Sequence, residues 1–297
     1  MAGAFCRIPD IFAKIIGEMK IKFWGTRGSI SVSGGQYLKY GGNTSCVELR
    51  SEKNELIVID AGSGIYPLGR ELEKNKTDKI TMLFTHSHWD HILGFPFFAP
   101  IYRKTAYIKM AGCSYSSGPV REIVLKTMQP PGFPLKFEEI AANFEFTLLH
   151  SGGDEISGIA VEPVEISHPG GGFGYKFTEA DRSFVFLTDN ELRYRHEGGG
   201  TPEEYADFCR GADLLIHDAD YTPEEYAANA AWGHSTWEHA MELAVLSGVP
   251  RLGFFHHNPC RSDSDIDRIV SSAREKAVKS GLKIDCFAAR EGQEIKI

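Results

Sequence analysis

Short apolar runs bounded by glycine, proline and polar clusters recur along the chain at the lengths of β-strands. They predict strands at 20–24, 46–50, 56–60, 80–85, 106–110, 144–149 and 159–166. Further strands are predicted at 174–178, 183–188, 214–217, 251–256 and 283–287. Helical patterns fall at 64–74, 119–127, 202–209, 236–246 and 263–279. Ser235, with Glu238 three residues on, reads as the N-cap of the fourth helix in a capping box. Strands meander first and alternate with helices later, and the second half resembles the first. Two sheets packed together with helices outside satisfy that order, because each sheet needs both faces covered.

No linker, low-complexity run or short internal repeat interrupts residues 19–297, which reads as one domain. Residues 1–18 are weakly amphipathic and lack both a proper apolar segment and a cleavage signature. They read as an N-terminal appendage or a misassigned start. The segment 95–134 is rich in aromatics and proline, and suits either a packed surface excursion or a lid over a substrate pocket.

Composition removes several function classes. The net charge of −8 argues against an extended nucleic-acid surface, since proteins that grip a polyanion carry a basic stripe or patch. No apolar run approaches the roughly 20 residues that span a membrane. The six cysteines (Cys6, Cys46, Cys113, Cys209, Cys260 and Cys286) show no CxxC pair. They read as small buried hydrophobes of a reducing compartment, and the expected location is cytoplasmic.

The chemistry concentrates in Thr85-His86-Ser87-His88-Trp89-Asp90-His91, which follows an apolar strand. In an extended segment His86 and His88 point the same way, so both can bind one ion. Asp90 and His91 come after the chain turns and can face a second. Nitrogen and carboxylate ligands suit zinc, iron or manganese, and the residue types do not choose among them; zinc is the first expectation. Trp89, Phe95, Phe97, Phe98 and Phe133 could stack a nucleobase, but as bulky apolar residues they read first as core.

HSHWDH at 86–91 resembles the HxHxDH motif of the metallo-β-lactamase superfamily, and LIVIDAGSG at 56–64 resembles its first motif. The resemblance implies a four-layer αββα sandwich of two mixed sheets packed face to face. It makes Asp60 a carboxylate that orients a ligand or loop. It also implies two divalent metal ions held by His86, His88, Asp90, His91, His168, Asp189 and His256, with Asp189 bridging them. His257 is the runner-up to His256. The segments DLLIHDAD at 213–220 and GHSTWEH at 233–239 are similar to two loops of ribonuclease Z. GTRGS at 25–29 and GGNTSC at 41–46 resemble the same phosphodiesterase branch, which includes small cyclic phosphodiesterases.

This implies a dinuclear hydrolase of phosphodiesters in which hydroxide activated by the metals attacks. His234 is the proton donor, Asp218 orients it, and Asp90 counts with the catalytic residues. Ribonuclease Z relatives are often dimers, so a homodimer is compatible. The long basic arm with which ribonuclease Z holds transfer RNA has no counterpart in the sequence, which points to a small phosphodiester such as a cyclic nucleotide or cyclic phosphate. A thioester, lactone or β-lactam hydrolase on the same metals is the competing enzyme class, and a non-catalytic metal-binding sensor is the third.

Overall fold

A computed structural model describes residues 18–112 and 119–297. The first half of the chain supplies β1 (Lys20–Gly25), β2 (Cys46–Arg50), β3 (Leu56–Ile59), β4 (Lys79–Leu83), β5 (Tyr107–Gly112) and β6 (Asn143–Leu148). The second supplies β7 (Asp154–Ile156), β8 (Ile159–Glu165), β9 (Phe173–Glu179), β10 (Arg182–Leu187), β11 (Leu214–Asp218), β12 (Arg251–Phe255) and β13 (Asp285–Ala288). A final strand, β14 (Glu294–Lys296), returns to pair antiparallel with β1. The sheet orders are β14-β1-β2-β3-β4-β5-β6 and β13-β12-β11-β10-β9-β8-β7.

Both sheets are mixed. In the first, β1, β2 and β3 pair antiparallel and β3 to β6 parallel. In the second, β7 to β10 pair antiparallel and β10 to β13 parallel. The halves therefore share a plan, as the order of elements predicted. The short strands β7 and β14 were not anticipated.

Side-chain alternation explains how the sheets stack. Phe184 and Phe186 of β10 join Ile21, Phe23, Ile57 and Ile59 of the first sheet in one buried cluster between the sheets. Val185 and Leu187 point the other way and pack with Tyr205, Met241 and Ile266. Those three belong to α4 (Pro202–Cys209), α6 (Trp237–Ser247) and α7 (Asp263–Lys279). On the far side, Val58, Met82 and Met110 pack against Leu68 and Ile123, from α1 (Ile65–Lys74) and α3 (Val120–Thr127). The chain thus forms the four-layer αββα sandwich. Strands buried on both faces read as continuous apolar runs, which is why their positions were legible. The ring of Phe186 sits 5.1 Å from that of Phe255 and is fully buried. Phe186→Ala is expected to cost about 3–5 kcal/mol in a denaturant titration, through lost burial and the cavity left behind; a loss under 1 kcal/mol would show that the inter-sheet layer collapses freely.

Several local expectations need correction. The N-cap of α6 is Thr236, whose hydroxyl accepts from His239 N at 3.1 Å. Ser235 instead donates to Asn190 O at 2.7 Å and accepts from Leu192 N at 3.0 Å, tying the helix start to the end of β10. Two helices were missed, α2 (Trp89–Ile92) and α5 (Pro223–Asn229). Of the aromatics read as core, Phe95 and Phe98 are buried, but Trp89 and Phe97 are 68% and 56% exposed. Phe133 is half-buried against Phe97. Within 95–134 the described part packs on the outer face of the first sheet through Phe95, Phe98, Ile101 and Ile123. Among the described residues, Cys46, Cys209, Cys260 and Cys286 are free thiols, and no helix is long and apolar enough to cross a membrane. Cys6, Cys113 and the appendage at 1–17 lie outside the described residues.

Candidate metal centre

The site forms where strands of both sheets end. Asp60 follows β3, Asp189 lies two residues past β10, and His256 follows β12. All three hold a left-handed backbone, at φ 62°, 53° and 56°. For residues other than glycine this costs about 1–3 kcal/mol each, and it persists only where the surroundings over-determine it. Here the side chains that result converge on one cluster, buried except for the exposed His88.

The cluster has two lobes. Ligand atoms of His86, His88 and His168 lie within 4.8 Å of one another, and so do those of Asp90, His91, Asp189 and His256. In the first lobe His168 Nδ1 donates to Gly233 O at 3.0 Å, which leaves its Nε2 without a proton, 3.0 Å from His88 Nδ1. His86 Nδ1 pairs with the Thr85 hydroxyl at 3.1 Å. Its Nε2 is buried without a hydrogen-bond partner. In the second lobe His91 Nδ1 donates to Asp60 Oδ2 at 2.7 Å. The Nε2 of His91 is likewise buried and unbonded, 3.2 Å from Asp189 Oδ1 and 3.3 Å from Asp90 Oδ2. Asp189 Oδ2 lies 3.2 Å from His256 Nε2, 3.7 Å from His86 Nε2 and 3.9 Å from His168 Nε2, so this carboxylate spans both lobes.

Two orphaned imidazole nitrogens, buried and aimed at carboxylates, are costly unless a cation completes them. The donor set is nitrogen and oxygen throughout, and it fits a pair of divalent ions. Burial disfavours the charged carboxylates, yet His91 and His256 hold Asp90 well below the usual range. Asp189 is held there too, by His256, His91 and His86. Burial, then the charge of His91, pushes His86 well below its ordinary value. Burial would lower His91 as well, but Asp90, Asp189 and Asp60 raise it well above the histidine range.

A surrounding layer fixes these groups, as metal ligands require. Asp60 also accepts from Thr85 N at 2.8 Å and Ser45 Oγ at 2.9 Å, which gives the GGNTSC loop its place. Asp90 Oδ2 accepts from Ser29 N at 2.8 Å, in the GTRGS loop. A Cβ on Gly28 would fall 2.1 Å from the His256 ring, so that position needs glycine. His256 Nδ1 lies 3.2 Å from Asp220 Oδ2, which also accepts from Asn258 through Oδ1 at 2.7 Å.

His234 stands beside the cluster, its ring 4.6 Å from that of His256 and 5.4 Å from that of His168. Its Nδ1 donates to Asp218 Oδ2 at 2.6 Å, and the Asp218 side chain is fully buried. Burial pushes this imidazole down, but the charge and hydrogen bond of Asp218 outweigh it and raise His234 to about 9.

Every residue expected at the site is therefore brought to it: His86, His88, Asp90, His91, His168, Asp189, His256, His234, Asp218 and the supporting Asp60. His257 is not. Its Nε2 donates to Ala289 O at 2.8 Å, away from the cluster, and burial pushes it down to about 3. Sequence reasoning missed Asp220, Thr85 and Glu191. Asp220 ends the quoted segment DLLIHDAD, where its strand-end position was the available signal. Glu191 carried none beyond standing two residues past Asp189.

The sandwich and its histidine and carboxylate cluster define a metal-dependent hydrolase of the metallo-β-lactamase type. The model of the family described as Beta-lactamase superfamily domain matches residues 56–257, and the chain belongs to that family. It is 24% identical over 282 aligned residues to ribonuclease Z of Oceanobacillus iheyensis, covering 78% of this chain and 89% of that protein. Among solved structures it is similar to unliganded yeast PDE1, with a TM-score of 0.69, 16% identity and coverage of 94% and 99%. A diphosphatase of the PhnP family aligns with a TM-score of 0.65, 19% identity and coverage of 94% and 98%. These two structural likenesses establish the fold.

Proposed function

We propose that the chain hydrolyses phosphodiesters at a two-metal centre held by His86, His88 and His168 on one side and Asp90, His91 and His256 on the other, with Asp189 shared. The observation that carries the reading is the His234–Asp218 pair at 2.6 Å beside the metal lobes. When bound, a pair of divalent ions supplies positive charge to a phosphoryl group and lowers the pKa of water toward about 7. The chain's own residues do the rest. Asp60 and the Gly233 carbonyl hold His91 and His168 in the tautomers that turn Nε2 inward. Asp218 keeps His234 protonated at neutral pH, ready to give its proton to the departing alkoxide. Carbonyl substrates have less need of a separate donor there, so the pair favours phosphodiesters over thioesters and lactones. The relatives named ribonuclease Z and the diphosphatase neighbour support the same chemistry. Zinc is proposed as the native ion, with manganese or iron as alternatives.

The substrate proposed is a small phosphodiester such as a cyclic nucleotide or cyclic phosphate. A cavity of about 500 Å³ adjoins His168, on the scale of a small-ligand site. Glu165 and Glu197 line it, and their charge disfavours a polyphosphate backbone. The test is hydrolysis of bis-p-nitrophenyl phosphate by protein reconstituted with Zn²⁺ or Mn²⁺, beside a thioester, a lactone, cyclic nucleotides and an RNA. Metal-dependent cleavage of the aryl phosphodiester and a cyclic nucleotide is expected. Turnover of the carbonyl substrates alone would overturn the reaction class, and cleavage of RNA alone would overturn the substrate size.

A further inference from the structure

Glu191 is a buried carboxylate that the reaction just described does not use. Its side chain is fully buried in the segment that follows β10, two residues past Asp189, yet the side chain's partners all come from other segments. Oε1 accepts the Tyr226 hydroxyl at 2.7 Å and Ala231 N at 2.8 Å. Oε2 accepts Gly233 N at 2.7 Å and His196 Nε2 at 2.9 Å. Four donors saturate the roughly four lone-pair positions of a carboxylate. Two of them are backbone N–H groups of one short segment, and hydrogen bonds to an ionised acceptor are the strong ones.

That segment holds an uncommon backbone. Ala231 has φ 69° and Gly233 φ 92°. It leads directly into His234, and its Gly233 carbonyl accepts the Nδ1 proton of His168. The contact is close: a Cβ on Gly233 would fall 2.1 Å from His168 Nδ1. A shift of this segment is therefore transmitted straight to the imidazole. Glu191 thus links the strand that delivers Asp189 to the loop that orients His168 and delivers His234.

We propose that Glu191 is a positioning residue of the metal centre, clamping residues 231–233 so that His168 keeps Nε2 turned to the metal and His234 stays on Asp218. The inference rests on the metal-centre reading above and adds to it a residue that touches neither metal nor substrate. Glutamine in its place keeps the shape but turns one acceptor oxygen into a donor, which faces two donors already present.

The experiment measures Zn²⁺ affinity of the full chain by competition with a chromophoric chelator, with hydrogen exchange of the amides of Ala231 and Gly233 alongside. Losing a direct outer partner of a metal ligand lowers affinity by about 10–100-fold. Because Glu191 acts one link further out through Gly233, a loss at the low end, about 10-fold, is expected for Glu191→Gln. Tyr205→Phe is the control for general destabilisation. It removes a buried hydroxyl bonded to Glu165 O at 3.0 Å and Gly200 N at 2.9 Å, and is expected to lower Tm without changing affinity. The two amides are expected to exchange slowly in the wild-type chain and quickly in Glu191→Gln. Wild-type affinity in Glu191→Gln overturns the inference. An equal affinity loss in Tyr205→Phe, or unprotected amides in the wild-type chain, overturns it as well. A wild-type chain that binds no metal overturns the metal-centre reading, and this inference with it.

Discussion

Asp189→Asn is expected to strip the centre of metal and activity together. Among the described residues, Asp189 is the one carboxylate whose oxygens reach the imidazoles of both lobes, from His91 and His256 to His86 and His168. Without its charge, the five imidazoles of the two lobes face one another with only Asp90 left to balance two cations. Losing a supporting partner costs about 10–100-fold in metal affinity, and a shared ligand must cost more. Losing electrostatic stabilisation at a reacting centre adds a drop on the order of 10²–10³ in turnover. Asparagine is the informative replacement. It keeps the shape and tolerates the left-handed φ of 53°, so the loss is of charge and not of backbone. Metal content by elemental analysis, with circular dichroism to verify the fold, decides the matter. Wild-type metal content in the variant would reject Asp189 as the shared ligand.

The same cluster shows what a sequence makes legible. The strands leading to it were visible because both faces of each sheet are covered, and continuous apolar runs such as Phe184–Leu187 stand out. The histidines were visible because so many ligand types crowd into 86–91. Asp60, Asp189 and His256 were legible as strand-end residues, but the turns that aim them were not. Each adopts a left-handed φ, which Asp and His enter more readily than most residues but which the apolar pattern of the preceding strand does not mark. His256 was preferred to His257 by its strand-end position, and the turn after Phe255 is the geometry that separates them.

Helix α5 illustrates a second limit. Thr222-Pro223-Glu224-Glu225 repeats the capping box of Thr201-Pro202-Glu203-Glu204, and both threonines accept from the third helical N–H. The earlier helix buries Tyr205, Ala206 and Cys209 and was legible by its apolar face. The later one buries no residue, so a pattern-based reading passes over it. Glu191 marks the furthest limit. Its partners are a tyrosine, a histidine and two loop amides, and the amides lie 40 and 42 residues downstream. Backbone donors leave no trace in side-chain pattern.

His234→Ala is expected to separate chemistry from metal binding. The His234 side chain hydrogen-bonds to Asp218, and its contacts with His168 and His256 are ring against ring, so metal content should stay near the wild-type level. Removing a positioned general acid costs about 10²–10⁴-fold in turnover when the leaving group is a poor one. The loss should therefore be large for a ribose-type alkoxide and small for p-nitrophenolate, which departs without a proton. Equal losses on both substrates would reject the donor role.

The pH profile gives the sign independently. A donor must be protonated, and Asp218 holds His234 at about 9, so activity should persist at neutral pH and fall as pH rises through about 9. In Asp218→Asn the carboxylate charge is gone and burial acts with little to oppose it, so the basic limb should move to lower pH. A limb that stays in place in Asp218→Asn would assign it to another group.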